Sequence, residues 1–254
     1  MENNDWWMPK NLKKLEKKYQ EEIDLETIDV RNDFGSYKIM LAKNDPAKSL
    51  IHAHNDITPN YRVKIMKKIL GDFNPQKIYD VGCGLGFTTD EISKEYPFAE
   101  VIGMDISKDA VAYGKKNFPN CQFLAEAVDP ENGKQFLGAD LICAFEFYPF
   151  TRTNNFIDHR QYISYLTDEI SENGKLVIFQ YWDNSESLSE NYKDIVSSFT
   201  HLKFELYKMP IKKIGKFVPS MFFANLLSEI ARLILRGVIG RPIGKNKFLV
   251  ISKN

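Results

Sequence analysis

Apolar runs alternate with amphipathic segments along the central part of this chain. Strand-like runs fall at 77–81, 100–105, 122–127, 140–146 and 175–182, and helix-like segments fall at 88–96, 108–117 and 160–171. Because such alternation brings successive strands side by side in one direction, it predicts an α/β fold with a parallel sheet and helices on both faces. The last of these runs is apolar almost throughout, which is typical of a central strand that is buried on both faces.

Residues at the ends of the helical segments agree with this division of the chain. Thr88 with Glu91 predicts a capping box at the start of the first helix, and Ser107 is the predicted cap of the second. Asn173 and Gly174 are expected to end the third helix, because this pair readily adopts the left-handed conformation that follows a helix.

A glycine-rich loop joins the first predicted strand to the first predicted helix. Asp80 lies at the strand tip, and Gly82, Gly84 and Gly86 follow it at alternate positions. The missing side chains would let the backbone approach a nucleotide-like ligand and present amide N–H groups, although a tight turn without a ligand has the same appearance. A dinucleotide fingerprint needs a further glycine where this chain has Phe87, and no Lys-Ser or Lys-Thr pair for a triphosphate follows. A carboxylate before such glycines suits a cationic amino-acid cofactor.

A second carboxylate ends the next predicted strand. Asp105 follows the apolar run 101–104 and comes nineteen residues after Gly86, about the spacing of a ribose-binding acid. A carboxylate at that place accepts charge-assisted hydrogen bonds from both ribose hydroxyls. The alternative is that Asp105 only helps to cap the helix that begins near Ser107.

The segment Asp80–Gly86 resembles the first motif of the class I methyltransferases that use S-adenosylmethionine, an acidic residue followed by G-x-G-x-G at the end of the first strand. The resemblance covers roughly residues 76–209 and 247–253. It implies a seven-stranded, mostly parallel sheet in the order 3-2-1-4-5-7-6. Residues 203–209 and 247–253 would form the final antiparallel pair.

The resemblance also implies which residues surround the cofactor. The run that ends at 127 is similar to the third motif of the family, in which an acid and a small residue face the adenine, although a glutamate replaces the usual aspartate here. The implied cofactor-binding residues are Asp80, Gly82, Gly84, Gly86, Asp105, Ile106, Glu126, Ala127 and Phe145.

In this family the segment just past the fourth strand lines the site of methyl transfer. The predicted catalytic residues are therefore Glu146 first, then His159, with Tyr148 beside them; burial would bring the Glu146 carboxyl into a useful pKa range. Arg152 is either a partner for an anionic group of the acceptor or a solvated loop residue. Metal-dependent relatives place acidic ligands at the end of this strand, whereas Asp140 lies at its beginning, so no catalytic metal is expected.

Composition narrows the choice of partners and compartment. Lys plus Arg and Asp plus Glu are both 34, so the net charge is zero and nothing indicates a nucleic-acid partner. Cys83, Cys121 and Cys143 lie in or beside predicted strands without any C-x-x-C pair, which is typical of packing residues in a reduced cytoplasmic protein. The first five residues are polar and acidic, so no signal peptide is expected.

Two regions lie outside the resemblance to the family core, and the first is the amino-terminal part. We predict a helical cap over residues 1–60 that helps to choose the acceptor, ahead of a methyltransferase domain over 61–254. His52 and His54 within it are open to three interpretations, namely a metal pair, an acceptor contact or an ordinary polar loop. The cap helix has a narrow apolar face formed by Leu12, Leu15, Tyr19 and Ile23.

The second region is an insertion at about 210–245, between the last two strands. Its helix divides into a polar stripe of Asn225, Ser228, Glu229, Arg232 and Arg236 and an apolar stripe of Phe222, Leu226, Ile230, Leu233, Ile234 and Gly237. Central charges make a membrane span unfavourable. Two interpretations remain: the apolar stripe packs across the protein's own sheet as a lid or forms a dimer surface, or it lies on an anionic membrane, which flanking lysines and arginines would favour.

The function predicted from these features is S-adenosylmethionine-dependent methyl transfer to a small-molecule, glycan or lipid-linked acceptor, most simply at oxygen. The protein would be cytoplasmic, with a peripheral location at the inner membrane surface if the insertion contacts lipid. Alternatives are a non-catalytic module that binds the cofactor, and an RNA or protein methyltransferase. A nicotinamide oxidoreductase is disfavoured by Phe87.

Overall fold

The structure is a computed structural model that describes residues 59–131, 133–182, 187–218, 220–239 and 246–254. The predicted cap helix around Leu12 and the pair His52 and His54 lie outside these residues. In chain order the described elements are α1 (Pro59–Leu70), β1 (Lys77–Val81), α2 (Phe87–Glu95), β2 (Glu100–Asp105), α3 (Lys108–Asn117), β3 (Gln122–Ala125), β4 (Ala139–Phe145), α4 (Tyr148–Thr151), α5 (Phe156–Glu169), β5 (Ile170–Tyr181), α6 (Leu188–Ser198), β6 (Leu202–Lys208), α7 (Lys212–Phe217), α8 (Met221–Ile239) and β7 (Asn246–Lys253).

The seven strands form one sheet in the order β3-β2-β1-β4-β5-β7-β6, as the resemblance implies. Strands β1 to β5 run parallel, and β7 pairs antiparallel with both β5 and β6. The predicted fold class is therefore confirmed. Because β1 is the central switch of this order, its carboxyl end lies between those of β2 and β4, where ligands bind in open α/β sheets.

Apolar side chains cover both faces of the sheet. On one face α1 and α2 pack Met66, Ile92 and Tyr96 against Val177 and Phe248. The opposite face is covered by α5 and α6, whose buried residues include Tyr162, Ile163, Leu166 and Ile195. The period-two alternation of each strand and the single apolar face of each helix account for this layering.

Two local predictions are wrong, for physical reasons. The cap of α2 is the backbone of Gly86 rather than a capping box. The Glu91 carboxylate instead accepts hydrogen bonds from Asn60 and Lys94. The third predicted helix, α5, ends at Glu169, because Ile170 already pairs with β4 and the chain bulges before it regains register at Lys175.

The predicted insertion contains α7 and α8. Tyr61 of α1 donates to the Pro210 carbonyl at 2.9 Å, which joins the start of the insertion to α1. The expectation that the apolar stripe of α8 packs across the sheet is wrong, because Leu226 and Leu233 are exposed while Ser228 is buried. Among the described residues, no helix is both long enough and apolar enough to cross a bilayer.

Candidate functional site

The carboxyl ends of three neighbouring strands bring the predicted acidic residues to one edge of the sheet. Asp80 lies near the end of β1, Asp105 ends β2 and Glu146 directly follows β4. Asp80 and Asp105 are almost completely buried, at 1% and 4% exposure, whereas Glu146 is exposed. The edge therefore combines two desolvated carboxylates with a third carboxylate that reaches solvent.

The glycine loop turns the chain from β1 into α2. Gly86 has φ 87°, and a Cβ there would lie 2.6 Å from the Phe123 ring, so both conformation and packing require glycine. Gly84 also has a left-handed φ, 55°. The amide N–H groups of Gly82, Cys83, Gly84 and Gly86 all donate to protein acceptors. These four amides are therefore engaged within the protein. The cofactor contacts expected of Gly82, Gly84 and Gly86 stay predictions.

Asp80 is held in place by α2. Thr89 Oγ1 donates to Asp80 Oδ2 at 2.7 Å, so one carboxylate oxygen is fixed. Burial raises the pKa of Asp80 to about 6, although the Thr89 hydrogen bond and the charge of Arg62 lower it. A cation that enters next to Asp80 would return this pKa towards its ordinary range, because it stabilises the ionised form.

Asp105 is held by the glycine loop and by the start of α3. Gly84 N–H donates to Asp105 Oδ2 and Ser107 N–H donates to Oδ1, both at 2.8 Å. Each oxygen keeps further acceptor capacity for a ligand hydroxyl. Burial raises the pKa of Asp105 to about 6, against the effect of its two backbone hydrogen bonds. The cap alternative is also partly realised, because Ser107 Oγ accepts from Ala110 N–H.

Sequence reasoning missed Arg62, which α1 brings to this edge. Its guanidinium lies over the Phe145 ring at 5.4 Å and donates to Thr88 Oγ1. Burial lowers the Arg62 pKa, and the charges of Asp80 and Glu146 raise it. Arg62 Nε is buried and has no hydrogen-bond partner among the described residues. The only sequence signal was an arginine among apolar residues of an amphipathic helix, and that pattern also describes an ordinary surface residue.

Glu146 adopts an unusual backbone conformation. Among the described residues other than glycine, it is the one with a positive φ, 54°, and its N–H donates to the Phe179 carbonyl at 2.8 Å. Such strain concentrates at functional sites. The burial expected to raise the pKa of Glu146 is not found. Tyr148 begins α4 nearby, with Arg152 over its ring at 5.2 Å.

His159 occupies a different environment. It is fully buried inside α5 and packs against Phe150 at 6.1 Å between ring centroids. Burial lowers its pKa to about 4, although hydrogen bonds with Pro149 and Thr153 raise it. Because the His159 side chain is completely buried, we leave it out of the proposed machinery.

The remaining predicted residues surround the same edge. Ile106 is half-buried beside Asp105, Ala127 is buried and Glu126 is exposed just after β3. Phe145 is 6% exposed and packs edge-on against Phe179. The predicted ribose and adenine contacts thus line one side of the edge and the transfer residues the other.

This arrangement is suited to a ligand that carries both signs of charge. Asp80 can receive a cation, the unpaired Nε of Arg62 can receive an anionic oxygen, and Asp105 can receive hydroxyl groups. A pyrophosphate would place negative charge against two buried carboxylates, which electrostatics disfavours. The residues present therefore fit an amino-acid-linked nucleoside better than a dinucleotide.

Comparison with known proteins agrees with the fold and the motif. Residues 78–156 match the family described as "Methyltransferase domain". The trans-aconitate 2-methyltransferase of Rhodopseudomonas palustris is 30% identical over 118 residues, which are 45% of this chain and 42% of the relative. The enzyme of the same name from Afipia carboxidovorans is 25% identical over 154 residues, 59% of this chain and 56% of the relative. The chain thus spans about half the length of these curated relatives.

Solved structures share the fold over most of the chain. The plantazolicin methyltransferase BpumL, in complex with a pentazolic desmethylPZN analogue and SAH, superposes with a TM-score of 0.59 at 17% identity, covering 97% of this chain and 100% of that one. A TehB-like SAM-dependent methyltransferase from Corynebacterium glutamicum gives 0.55 at 16% identity, with 87% and 100% covered. The predicted resemblance to class I methyltransferases is confirmed at the level of domain and fold.

Proposed function

We propose that this chain, which carries a methyltransferase domain of the class I fold, transfers a methyl group from S-adenosylmethionine to an oxygen atom of a small-molecule acceptor. The observation that carries the proposal is that buried Asp80 interacts electrostatically with Arg62, beside buried Asp105, at the carboxyl edge of β1 and β2. These groups match the amino-acid end and the ribose of that cofactor. When bound, S-adenosylmethionine supplies an electrophilic methyl carbon on a positively charged sulfur.

The protein's task is to bind and orient the two partners. Asp80 attracts the ammonium and sulfonium charges, Arg62 binds the carboxylate, and Asp105 accepts from the ribose hydroxyls. Glu126, Ala127 and Ile106 contact the adenine side of the cofactor. Because methyl transfer is an in-line displacement, holding the acceptor atom opposite the leaving group accounts for most of the expected rate enhancement.

Glu146 and Tyr148 form the acceptor side of the proposed site. An alcohol or phenol acceptor would need a base, and Glu146 is our first candidate because it is exposed, strained and next to β4. The curated relatives are named for trans-aconitate, a small carboxylic acid. A carboxylate acceptor is already ionised at neutral pH, so it would need a cation such as Arg152 rather than a base.

The proposal is tested with the purified full chain. Calorimetry should detect S-adenosylmethionine and its demethylated product but not NAD, and labelled cofactor should transfer its methyl group to an acceptor in a panel of small acids, alcohols and phenols that includes trans-aconitate. Mass spectrometry then identifies the methylated atom. Absence of cofactor binding would refute the proposal, whereas binding without turnover on any acceptor would indicate a non-catalytic module.

Substitutions at Glu146 and Arg152 distinguish an alcohol acceptor from a carboxylate acceptor. For an alcohol acceptor, Glu146→Gln should lower kcat by about a hundredfold or more, the usual contribution of general base catalysis. For a carboxylate acceptor the same variant should keep its activity, and Arg152→Ala should raise KM instead. Methylation found only on protein or RNA substrates would overturn the small-molecule assignment.

A further inference from the structure

Helix α8 is oriented with its polar stripe towards the protein. Ser228 Oγ accepts from the Ile211 N–H at 2.9 Å and donates to the Ala224 carbonyl at 2.6 Å. Arg232 Nη2 donates to the Met209 carbonyl at 2.9 Å, and Nη1 bonds to Glu229 at 2.8 Å. Since buried polar groups of this kind are satisfied only in one rotational setting, these bonds fix which face of α8 points outward.

The outward face is apolar. The exposed fractions are 72% for Phe222, 57% for Phe223 and 69% for Leu233. Leu226, Leu227 and Ile230 are also exposed, at 45–47%. From 222 to 233 this outer stripe extends about 16 Å along the helix. A continuous apolar patch of this kind is unusual on a free protein surface and marks a contact with something else.

Helix α7, which packs against α8, adds exposed basic residues and a further aromatic residue to this part of the surface. Lys213, Lys216 and Phe217 of α7 are exposed, and Phe217 reaches 83%. In the sequences of α7 and α8, the only acidic residue is Glu229, which pairs with Arg232 and Lys208. Although the whole chain has no net charge, this surface is positively charged and apolar together.

We propose that the outer face of α7 and α8 docks onto an anionic lipid bilayer, with the apolar stripe in the interfacial region and the lysines at the headgroups. An apolar helix face with exposed phenylalanines, next to a helix with exposed lysines, matches the chemistry of an interfacial helix. A second copy of the chain is the alternative occupant, and the experiment below distinguishes it from lipid. None of the described residues covers this apolar face, so docking needs no rearrangement of α8 relative to them.

Docking through α8 would also bring the sheet edge of the proposed site close to the membrane. β6 runs parallel to β5, since both are antiparallel to β7, so the insertion leaves the sheet at the same edge that carries Glu146. A protein docked through α8 therefore holds its sheet edge near the lipid surface. This inference does not depend on the proposed reaction and is tested without an activity assay.

The experiment is vesicle flotation with the full chain. One set of vesicles contains equal parts of phosphatidylcholine and phosphatidylglycerol, and the other contains phosphatidylcholine alone. We expect binding to the anionic vesicles only, and weaker binding at high salt because the lysine contribution is screened. Lys213→Glu with Lys216→Glu should weaken binding about tenfold or more, since each lysine near anionic lipid contributes roughly fivefold.

Control variants test whether vesicle binding depends on this surface in particular. Lys115→Glu with Lys116→Glu, on exposed positions of α3, changes the net charge equally and should leave binding unchanged. Phe222→Ser with Leu226→Ser should remove binding, whereas Phe98→Ser with Ile157→Ser, which removes exposed apolar groups elsewhere, should not. All eight side chains are exposed, so circular dichroism should report folded variants.

The proposal is overturned if the wild-type chain does not float with anionic vesicles, or if control and surface variants lose binding equally. It is also overturned if light scattering finds a dimer that Phe222→Ser with Leu226→Ser dissociates while vesicles have no effect. A polarity-sensitive dye attached to the Leu226→Cys variant, in a Cys121→Ser background, distinguishes docking onto lipid from dimer formation. Its emission should shift only when anionic vesicles are added, and a blue-shifted emission without vesicles would show that the chain itself covers this face.

Discussion

Replacing Asp80 by asparagine should make the ligand-free protein more stable at neutral pH. Burial raises the pKa of Asp80 from 3.8 to about 6, so the folded protein bears a cost for keeping this group ionised at pH 7. The difference between those two values corresponds to about 3 kcal/mol of unfolding free energy. Asparagine removes the charge and can still accept the Thr89 hydroxyl hydrogen bond, so we expect a gain of up to about 3 kcal/mol.

The raised pKa of Asp80 also determines how the stability difference between the two proteins changes with pH. Because the folded-state pKa is raised, the folded protein binds more protons than the unfolded chain between about pH 3.8 and 6. The contribution of Asp80 to stability is therefore fully present below that window and is lost as the pH rises through it. The advantage of the asparagine variant should be largest at pH 7 and fall below about 1 kcal/mol at pH 4.

Urea unfolding at a series of pH values measures both quantities. Asp72→Asn, at an exposed position, is the control and should change little at any pH. Added S-adenosylmethionine should reverse the ranking at a thousandfold excess over Kd, because it then stabilises the wild type by about 4 kcal/mol and the variant far less. A variant that is less stable at pH 7, or a difference that does not vary with pH, would refute the reasoning.

Three further predictions concern the same edge. Asp105→Asn should raise the free energy of unfolding in urea much less than Asp80→Asn does, because its amide cannot accept from both Gly84 N–H and Ser107 N–H. An equal increase for the two variants would contradict a stabilising role of these two hydrogen bonds. Arg62→Met should bind S-adenosylmethionine at least about tenfold more weakly by calorimetry, yet bind its decarboxylated analogue as the wild type does. Equal losses for both ligands would show that Arg62 does not bind the carboxylate. Glu146→Gly should unfold at a urea midpoint equal to or above that of Glu146→Ala, because only glycine relieves the positive φ.

Local sequence signals were sufficient for the strands β1 to β5 and for the helices α2 and α3, whereas the strand order came from the resemblance to the family. The bounds of β1, β2 and α3 agree with the predicted runs residue for residue, and Ser107 caps α3 as expected. Period-two and helical patterns report which side chains are buried, and burial follows directly from the fold. The end of α5 could not be predicted, because pairing between Ile170 and β4 replaces the turn signal of Asn173 and Gly174.

The sequence did not predict how segments far apart in the chain are arranged relative to each other. Nothing in the residues around Arg62 shows that α1 carries it to β1, 18 positions further along the chain. The sequence also left the orientation of α8 open, because amphipathicity reports that two faces differ and not which one meets the protein. The hydrogen bond that Ser228 Oγ accepts from Ile211 N–H and the one that Arg232 donates to the Met209 carbonyl decide the orientation, and both depend on the tertiary position of Met209 and Ile211.

The same edge concentrates features that lower stability without a ligand. Asp80 and Asp105 are ionisable groups in the interior, Arg62 has an unpaired buried nitrogen, and Glu146 has a strained backbone. A sequence selected only for stability would replace Asp80 and Glu146, since asparagine and glycine fit these two positions at lower cost. A ligand with a cation next to Asp80 and an anion next to Arg62 would remove most of these costs at once. The Asp80→Asn and Arg62→Met variants therefore test one idea from two sides, because Asp80→Asn removes the partner for the cation and Arg62→Met removes the partner for the anion.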